Sequence, residues 1–418
     1  MTNPIAFDRY AARGAIEGLS LGQPPVPAVA DFISVGLEED LSVFAEEYFG
    51  PEGLLPNTES GAFKLVEAYY GGGKTHYLRA VERLAHRHGF ASAFIELHKD
   101  SCPLTRFDLV YSRVVESLTA PADEKRAAAK GIVEVVRTWV TPPASLEVDP
   151  IEYAQRCVDA MGDLPLPSMR IAFRDAAYAA ASEDNETLDE IHVYLRSGKI
   201  SPSLRKRGVL EAIDVKTGVL ALRSLAIWLR AIGYPGLLLV MDEGDRSLSI
   251  ASAKETRAAS NNLVQLINET VRGEAWPGVM LLYSIPQWSD FESTFGSNQA
   301  LLQRLRNTGF PGRPPAPRIV LDDRFPTDAD KIEFCVKVGE RLQDIFLTAY
   351  PKSSIREVGS DLARRTAEAV VEEVADVSFR RLFVQGFLGV LFASRQGGTP
   401  TDGDIQEIVR GKAVSVEG

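Results

Sequence analysis

The chain has 418 residues, of which 45% are hydrophobic and 25% charged, an ordinary balance that excludes disorder, collagen and coiled coil as whole-chain readings. Its 46 Lys and Arg against 57 Asp and Glu leave a formal net charge of −11, which argues against a surface coated with phosphate-binding charge but leaves room for local basic patches. Cys102, Cys157 and Cys335 are odd in number and far apart, so neither a disulfide framework nor a cysteine zinc site is expected. No apolar run approaches the roughly 20 residues of a membrane helix, and a cytoplasmic protein with no membrane insertion is expected.

Residues 1–60 read as a helical extension leading into the core. Two prolines break it at Gln23 to Val26, and VGLEEDLSVFAEEYF, opening at Val35 and Gly36, reads as a turn feeding an amphipathic helix. Ala62 to Tyr70 is short, rich in β-formers and closed by three glycines, as a strand entering a tight loop would be. HYLRAVERLAHRHGF then carries Leu78, Val81, Leu84 and Ala85 at helical spacing and stops at Gly89. A second strand follows over Ala91 to Leu97, and strand, glycine loop, helix, strand is the βαβ unit of a parallel sheet.

From about residue 108 to 228 the chain reads as an alanine-rich helical insertion. Its cluster Arg205, Lys206 and Arg207 is either a phosphate-backbone contact or a solvated helix end. Leu237 to Met241, LLLVM, has the continuous apolar character of a strand buried on both faces and runs into Asp242 and Glu243. Val279 to Tyr283 is a further buried strand ending at Ser284, and Ile319 to Leu321 a last one. The core is thus expected over 61–325. Residues 327 to 350, 360 to 375 and 378 to 394 read as three helices, the first capped by Thr327, forming a helical lid over 326–418.

The chemistry centres on AYYGGGKT, Ala68 to Thr75. A phosphate-binding loop needs glycines whose backbone N–H groups turn onto the phosphates, a lysine for the terminal phosphates and a hydroxyl for Mg²⁺. Gly71, Gly72, Gly73, Lys74 and Thr75 supply these, with Tyr70 and His76 flanking them as further expected nucleotide contacts. The departure is Ala68, which stands where the pattern asks for glycine and does not readily take a positive φ. Asp242 at a strand tip offers a second route to Mg²⁺, and Glu243 a carboxylate to polarise an attacking water; the alternative is that both cap a loop. Ser284 either senses the γ-phosphate and helps orient water or simply ends a strand. Arg304 and Arg306, in LLQRLRN, either reach the γ-phosphate of a neighbouring subunit in a homo-oligomer or belong to the surface. Arg380 and Arg381, in VSFRRLF, are placed to fold back onto the nucleotide.

VGLEEDL at residues 35 to 41 resembles the box that opens origin-recognition and related AAA+ ATPases, with Leu37 where arginine is usual. More specifically, AIEGLSLGQPP, AFKLVEAYYGGGKTHYLR, the segment ending YLRSGK, LAIWLRAIGYPGLLLVMDEGD and LLQRLR follow in order the pattern of the BREX-system ATP-binding proteins, with BrxD-like members most similar in size. The resemblance spans most of residues 11 to 310 and is loose beyond 320. It implies an α/β, AAA+-like P-loop NTPase with a parallel central sheet, a helical insertion and a C-terminal helical lid, binding ATP and Mg²⁺, with Val35 and Gly36 at the nucleotide and Arg304 at the position of a subunit-contact arginine. It also implies a cytoplasmic ATPase of a prokaryotic anti-phage defence locus, acting with other proteins of that locus and on DNA, directly or through partners. Two readings follow: an ATPase that remodels or regulates a DNA-associated complex, or a nucleotide-dependent scaffold that recruits partners without significant turnover. A phosphotransferase is a third, but no acceptor-site motif is visible.

Overall fold

The computed structural model describes residues 8–23, 27–69, 71–124, 126–242, 252–271, 276–306, 312–351, 359–374 and 379–416. The chain opens with α1 (Arg9–Ser20), α2 (Pro27–Ile33), α3 (Glu38–Val43), a π-helical turn (Phe44–Phe49) and α4 (Leu54–Asn57). Then come β1 (Ala62–Glu67), α5 (Lys74–Arg87), β2 (Ala91–Glu96), α6 (Phe107–Ser117), β3 (Thr119–Ala120) and β4 (Ala129–Lys130). The insertion continues through α7 (Ile132–Val140), α8 (Pro150–Ala160), α9 (Pro167–Ala181), α10 (Asn185–Ser197), α11 (Pro202–Lys206) and α12 (Gly218–Ala231). After β5 (Leu237–Asp242) follow α13 (Ala253–Val271), β6 (Val279–Ile285), α14 (Trp288–Phe295), α15 (Gln299–Leu305) and β7 (Arg318–Val320). A 3₁₀ turn (Asp322–Arg324) leads to α16 (Asp328–Ala349), α17 (Gly359–Glu373), α18 (Phe379–Gly397) and α19 (Asp402–Val416).

The fold is α/β, and the described residues form seven strands in the order β4-β3-β2-β5-β6-β1-β7. β5 sits inside the sheet because all six of its residues are buried, the signature of a strand covered on both faces. It pairs in parallel with β2, from Ala91↔Leu237 to Glu96↔Asp242, and with β6, from Leu237↔Val279 to Met241↔Tyr283. β3 and β4 add an antiparallel edge next to β2. This edge was not expected, since two-residue strands carry no alternation to read.

The chain divides into two compact units, one of Met1–Leu41, Glu67–Val81 and Val320–Gly418, the other of Ser42–Val66 and Glu82–Ile319. The second unit has its core on the sheet and the insertion helices. There Trp228, fully buried, stacks on Phe173 at 4.0 Å between ring centroids and meets Trp139 edge-on at 5.7 Å; burying a large side chain of this kind contributes about 1.5–3 kcal/mol. The insertion is therefore packed structure and not a loose excursion.

The first unit joins Ala12, Ile16 and Leu19 of α1 to Leu342 and Phe346 of α16, Phe383 and Phe387 of α18, and Ile405 and Val409 of α19. α16 and α17 pack so closely that a Cβ on Gly339 would lie 2.6 Å from the Ala363 Cβ. Two features depart from the chain-order reading of an N-terminal extension and a three-helix lid. α1 shares a core with the C-terminal helices, and α19 follows the expected last helix. Apolar burial has no preferred direction and ignores sequence separation, so α1's apolar face does not reveal its partner. The break at Gln23 to Val26 lies largely outside the described residues. Among the described residues no helix is long and apolar enough to cross a membrane.

Candidate functional site

In the first unit, the chain leaves β1 at Glu67 and reaches α5 at Lys74 through the glycine loop. Gly71 and Gly73 have φ of +79° and +85°, left-handed backbone that favours glycine. Gly72 is required for a different reason: a Cβ there would lie 2.9 Å from Asp322 Oδ1 and 3.0 Å from both Ala68 Cβ and Tyr69 O. Among the described residues Glu183 is the one non-glycine with positive φ, so Ala68 stands in ordinary backbone and strains nothing. The Gly72 N–H donates to Tyr69 O at 2.9 Å. Lys74 Nζ donates to Ala68 O at 2.6 Å and to Tyr69 O at 3.3 Å, while Thr75 and His76 occupy the first turn of α5. The result is a helix N-terminus beside a lysine and a glycine-permitted close approach, an arrangement whose helix dipole and positive charge favour an anion. Tyr70 lies outside the described residues.

Arg380, at the start of α18, reaches this loop. Its side chain is 12% exposed; Nη2 donates to Leu321 O at 2.8 Å, and Nη1 donates to Gly72 O and lies 3.4 Å from Asp322 Oδ1. Burial pulls the Arg380 pKa down to about 10 against the pull of Asp322, which leaves it a cation at neutral pH. Burial likewise raises the Asp322 pKa, opposed by the Tyr69 N–H, Arg380 and Lys74. Arg381 lies elsewhere: a Cβ on Gly22 would come within 2.6 Å of its Nη2. Adjacent residues on a helix point about 100° apart, so the two arginines do not share a target.

The turn at Val35 and Gly36 is fastened to α5 within the same unit. Gly36 has a φ of +74°, and Ser34 Oγ shares a 2.9 Å hydrogen bond with His76 Nε2. Tyr77 donates its hydroxyl to Asp40 Oδ2 at 2.8 Å, and Asp40 also accepts from Arg324. The side chains of Arg324 and Asp40 are 5% and 2% exposed. Arg324 Nη1 lies 3.3 Å from Gly36 O and its guanidinium sits 5.1 Å from the Tyr77 ring centroid. Burial, then Asp40, pushes the Tyr77 pKa well above its ordinary value. Breaking such a buried pair by removing one partner costs about 3–5 kcal/mol, so this network is a strong tie between the turn and the phosphate-loop helix.

In the second unit, Asp242 ends β5 and is 2% exposed. Ser284, fully buried, donates its hydroxyl to Asp242 Oδ1. Ser284 lies within β6, which continues to Ile285. Glu243 lies outside the described residues. Arg304, exposed in the last turn of α15, donates to Ala300 O at 2.7 Å, whereas Arg306 is paired with Glu292. Arg205 and Lys206 flank an open depression with Ile200 and Pro202.

Sequence reasoning missed Asp322 and the Asp40–Arg324–Tyr77 network. A signal for Asp322 was available, because IVLDD, like LLLVMDE, is an apolar run ended by two carboxylates. Nothing local marks Asp40 as buried. No curated protein and no solved structure matches the chain. The family model of the BREX system ATP-binding protein BrxC/D matches residues 11–147 and 172–401. Those segments contain the phosphate loop, Asp242, Ser284, Asp322 and Arg380, and with most of its length matched, the chain belongs to the BREX system ATP-binding protein BrxC/D family.

Proposed function

We propose that the protein is an AAA+-like P-loop ATPase that uses ATP and Mg²⁺ to remodel or regulate a DNA-associated complex of an anti-phage defence system. The observation that carries this reading is the phosphate loop, with Gly71 and Gly73 in left-handed backbone, no room for a side chain at Gly72, and Lys74 opening a 14-residue helix. That combination of donors and charge fits a polyphosphate.

Each residue then has a role. Lys74 neutralises the terminal phosphates, Val35, Gly36 and His76 hold the base side of the nucleotide, and Arg380 answers to the state of the loop. Glu243 polarises the attacking water, and Ser284, through its bond to Asp242, keeps that carboxylate oriented. Thr75, in the first unit, and Asp242, in the second, are each a candidate Mg²⁺ ligand, and the ion would neutralise phosphate charge.

Steady-state phosphate release with and without DNA tests the reading, and turnover raised by DNA is the expected result. ATP binding with no release in either condition would make a nucleotide-dependent scaffold the better account. An acidic chain binds DNA through a local basic surface, for which Arg205, Lys206 and Arg207 are the candidates, so affinity should fall steeply with salt. The segment Arg313 to Arg324 is a poorer candidate than its composition suggests. Arg324 is buried on Asp40, and the Arg318 guanidinium sits 4.4 Å from the Trp288 ring centroid.

Arg304 completes the site of a neighbouring copy in this scheme, because it is exposed while Arg306 is held by Glu292. Arg304→Ala should keep ATP affinity and lower phosphate release by at least about tenfold, a modest share of what such an arginine supplies. Mixing Arg304→Ala with Lys74→Ala protein should restore part of the activity. A strictly monomeric protein with full turnover at every concentration would sink the idea.

A further inference from the structure

The phosphate loop is held from one side by a single carboxylate. Asp322 Oδ2 accepts the Tyr69 N–H at 2.8 Å. That N–H and the Ala68 carbonyl belong to one planar trans peptide and point in opposite directions, and the Ala68 carbonyl accepts from Lys74 Nζ at 2.6 Å. Asp322 and Lys74 therefore grip the two sides of the first peptide plane of the loop. The other oxygen, Oδ1, lies 3.4 Å from Arg380 Nη1, which itself donates to Gly72 O. Arg380 so fixes the peptide between Gly72 and Gly73, and by the same planar geometry turns the Gly73 N–H the opposite way. Oδ1 also stands 2.9 Å from where a Gly72 Cβ would be, which is why the carboxylate can seat this closely.

We propose that Asp322 is a positioning residue that sets the shape of the phosphate loop by holding two of its peptide planes at once, one directly and one through Arg380. The inference rests on the nucleotide reading only where ATP affinity is concerned, since the grip itself exists without a ligand. Its consequence is preorganisation: a loop whose N–H groups are already aimed loses less on binding than one that must be ordered by the phosphates.

Hydrogen exchange on the nucleotide-free full-length protein, followed at the Tyr69, Gly72 and Gly73 amides, reads the grip directly. In Asp322→Ala the Tyr69 and Gly72 amides should exchange about tenfold or more faster, with β5 and β6 unchanged. Asp322→Asn keeps an oxygen for the Tyr69 N–H, so Tyr69 should stay within about threefold of wild type. Arg380→Met, a second variant that keeps the test open if the alanine variant fails to fold, should speed Gly72 and Gly73 and spare Tyr69. Calorimetry with ATP should show an affinity loss of about tenfold for Asp322→Ala and a smaller one for Asp322→Asn. Unchanged loop exchange in the variants, or loosening spread evenly into β5 and β6, would overturn the proposal. Loosening of the loop in a protein whose wild type binds no ATP would leave the positioning role standing and defeat the nucleotide reading instead.

Discussion

Glu243→Gln should bind ATP as tightly as wild type and release phosphate about 10²–10⁴-fold more slowly, the range a positioned general base contributes. The amide keeps the size and shape of the side chain but cannot polarise water as a carboxylate does. Its neighbour Asp242 stays as it is, buried at the end of β5 and accepting from Ser284, so the proposed metal ligand is not disturbed. Calorimetric ATP binding together with steady-state phosphate release checks both halves of the expectation. Wild-type turnover in this variant would move the base to another residue.

Lys74→Ala should act on the other parameter. Removing one partner of a charge pair with phosphate costs about 2–5 kcal/mol, or roughly 30-fold to several-thousand-fold in affinity. A further contribution comes from the loop, because Lys74 also donates to the Ala68 and Tyr69 carbonyls, and these lose their partner. Thermal unfolding of the variant should stay close to wild type, as Lys74 is only half-buried and most surface or half-buried substitutions of this kind fall within about 1 kcal/mol. Equal ATP affinity for wild type and Lys74→Ala would refute the assignment. Taken together, the two variants separate binding from turnover, a separation that a general loss of fold does not reproduce.

The features readable from the chain are those whose cause is local. Strands buried on both faces show as unbroken apolar runs, so β5 and β6 were placed to within two residues of their observed ends. The glycine loop was readable because backbone freedom, a lysine and a hydroxyl had to fall on consecutive positions between a strand and a helix, and Gly71 and Gly73 do take left-handed backbone. Asp242 and Ser284 were visible as polar residues at the ends of apolar runs, and strand register then places them within one hydrogen bond of each other. The Thr327 cap of α16 was visible for the same reason, as its side chain accepts from the Asp330 N–H three residues on.

Tertiary structure alone decided which distant segments share a core and which side chain of a matched pair is used. α1 carries an apolar face in Ala12, Ile16 and Leu19, but its burial against α16, α18 and α19 joins residues more than three hundred positions apart, and the hydrophobic effect leaves no local mark of the partner. Arg380 and Arg381 are indistinguishable as sequence, yet helix geometry sends one to Gly72 and Asp322 and the other to Gly22. IVLDD marks Asp322 only as an acid at a strand end and Asp40 reads as an ordinary surface carboxylate, because a buried acid is defined by its neighbours. Here those are Tyr69, Gly72 and Arg380 for the one and Tyr77 and Arg324 for the other. The phosphate loop as a string of residue types thus belongs to the sequence, while the grip that shapes it comes from side chains brought from elsewhere in the chain, where no periodicity or spacing connects them.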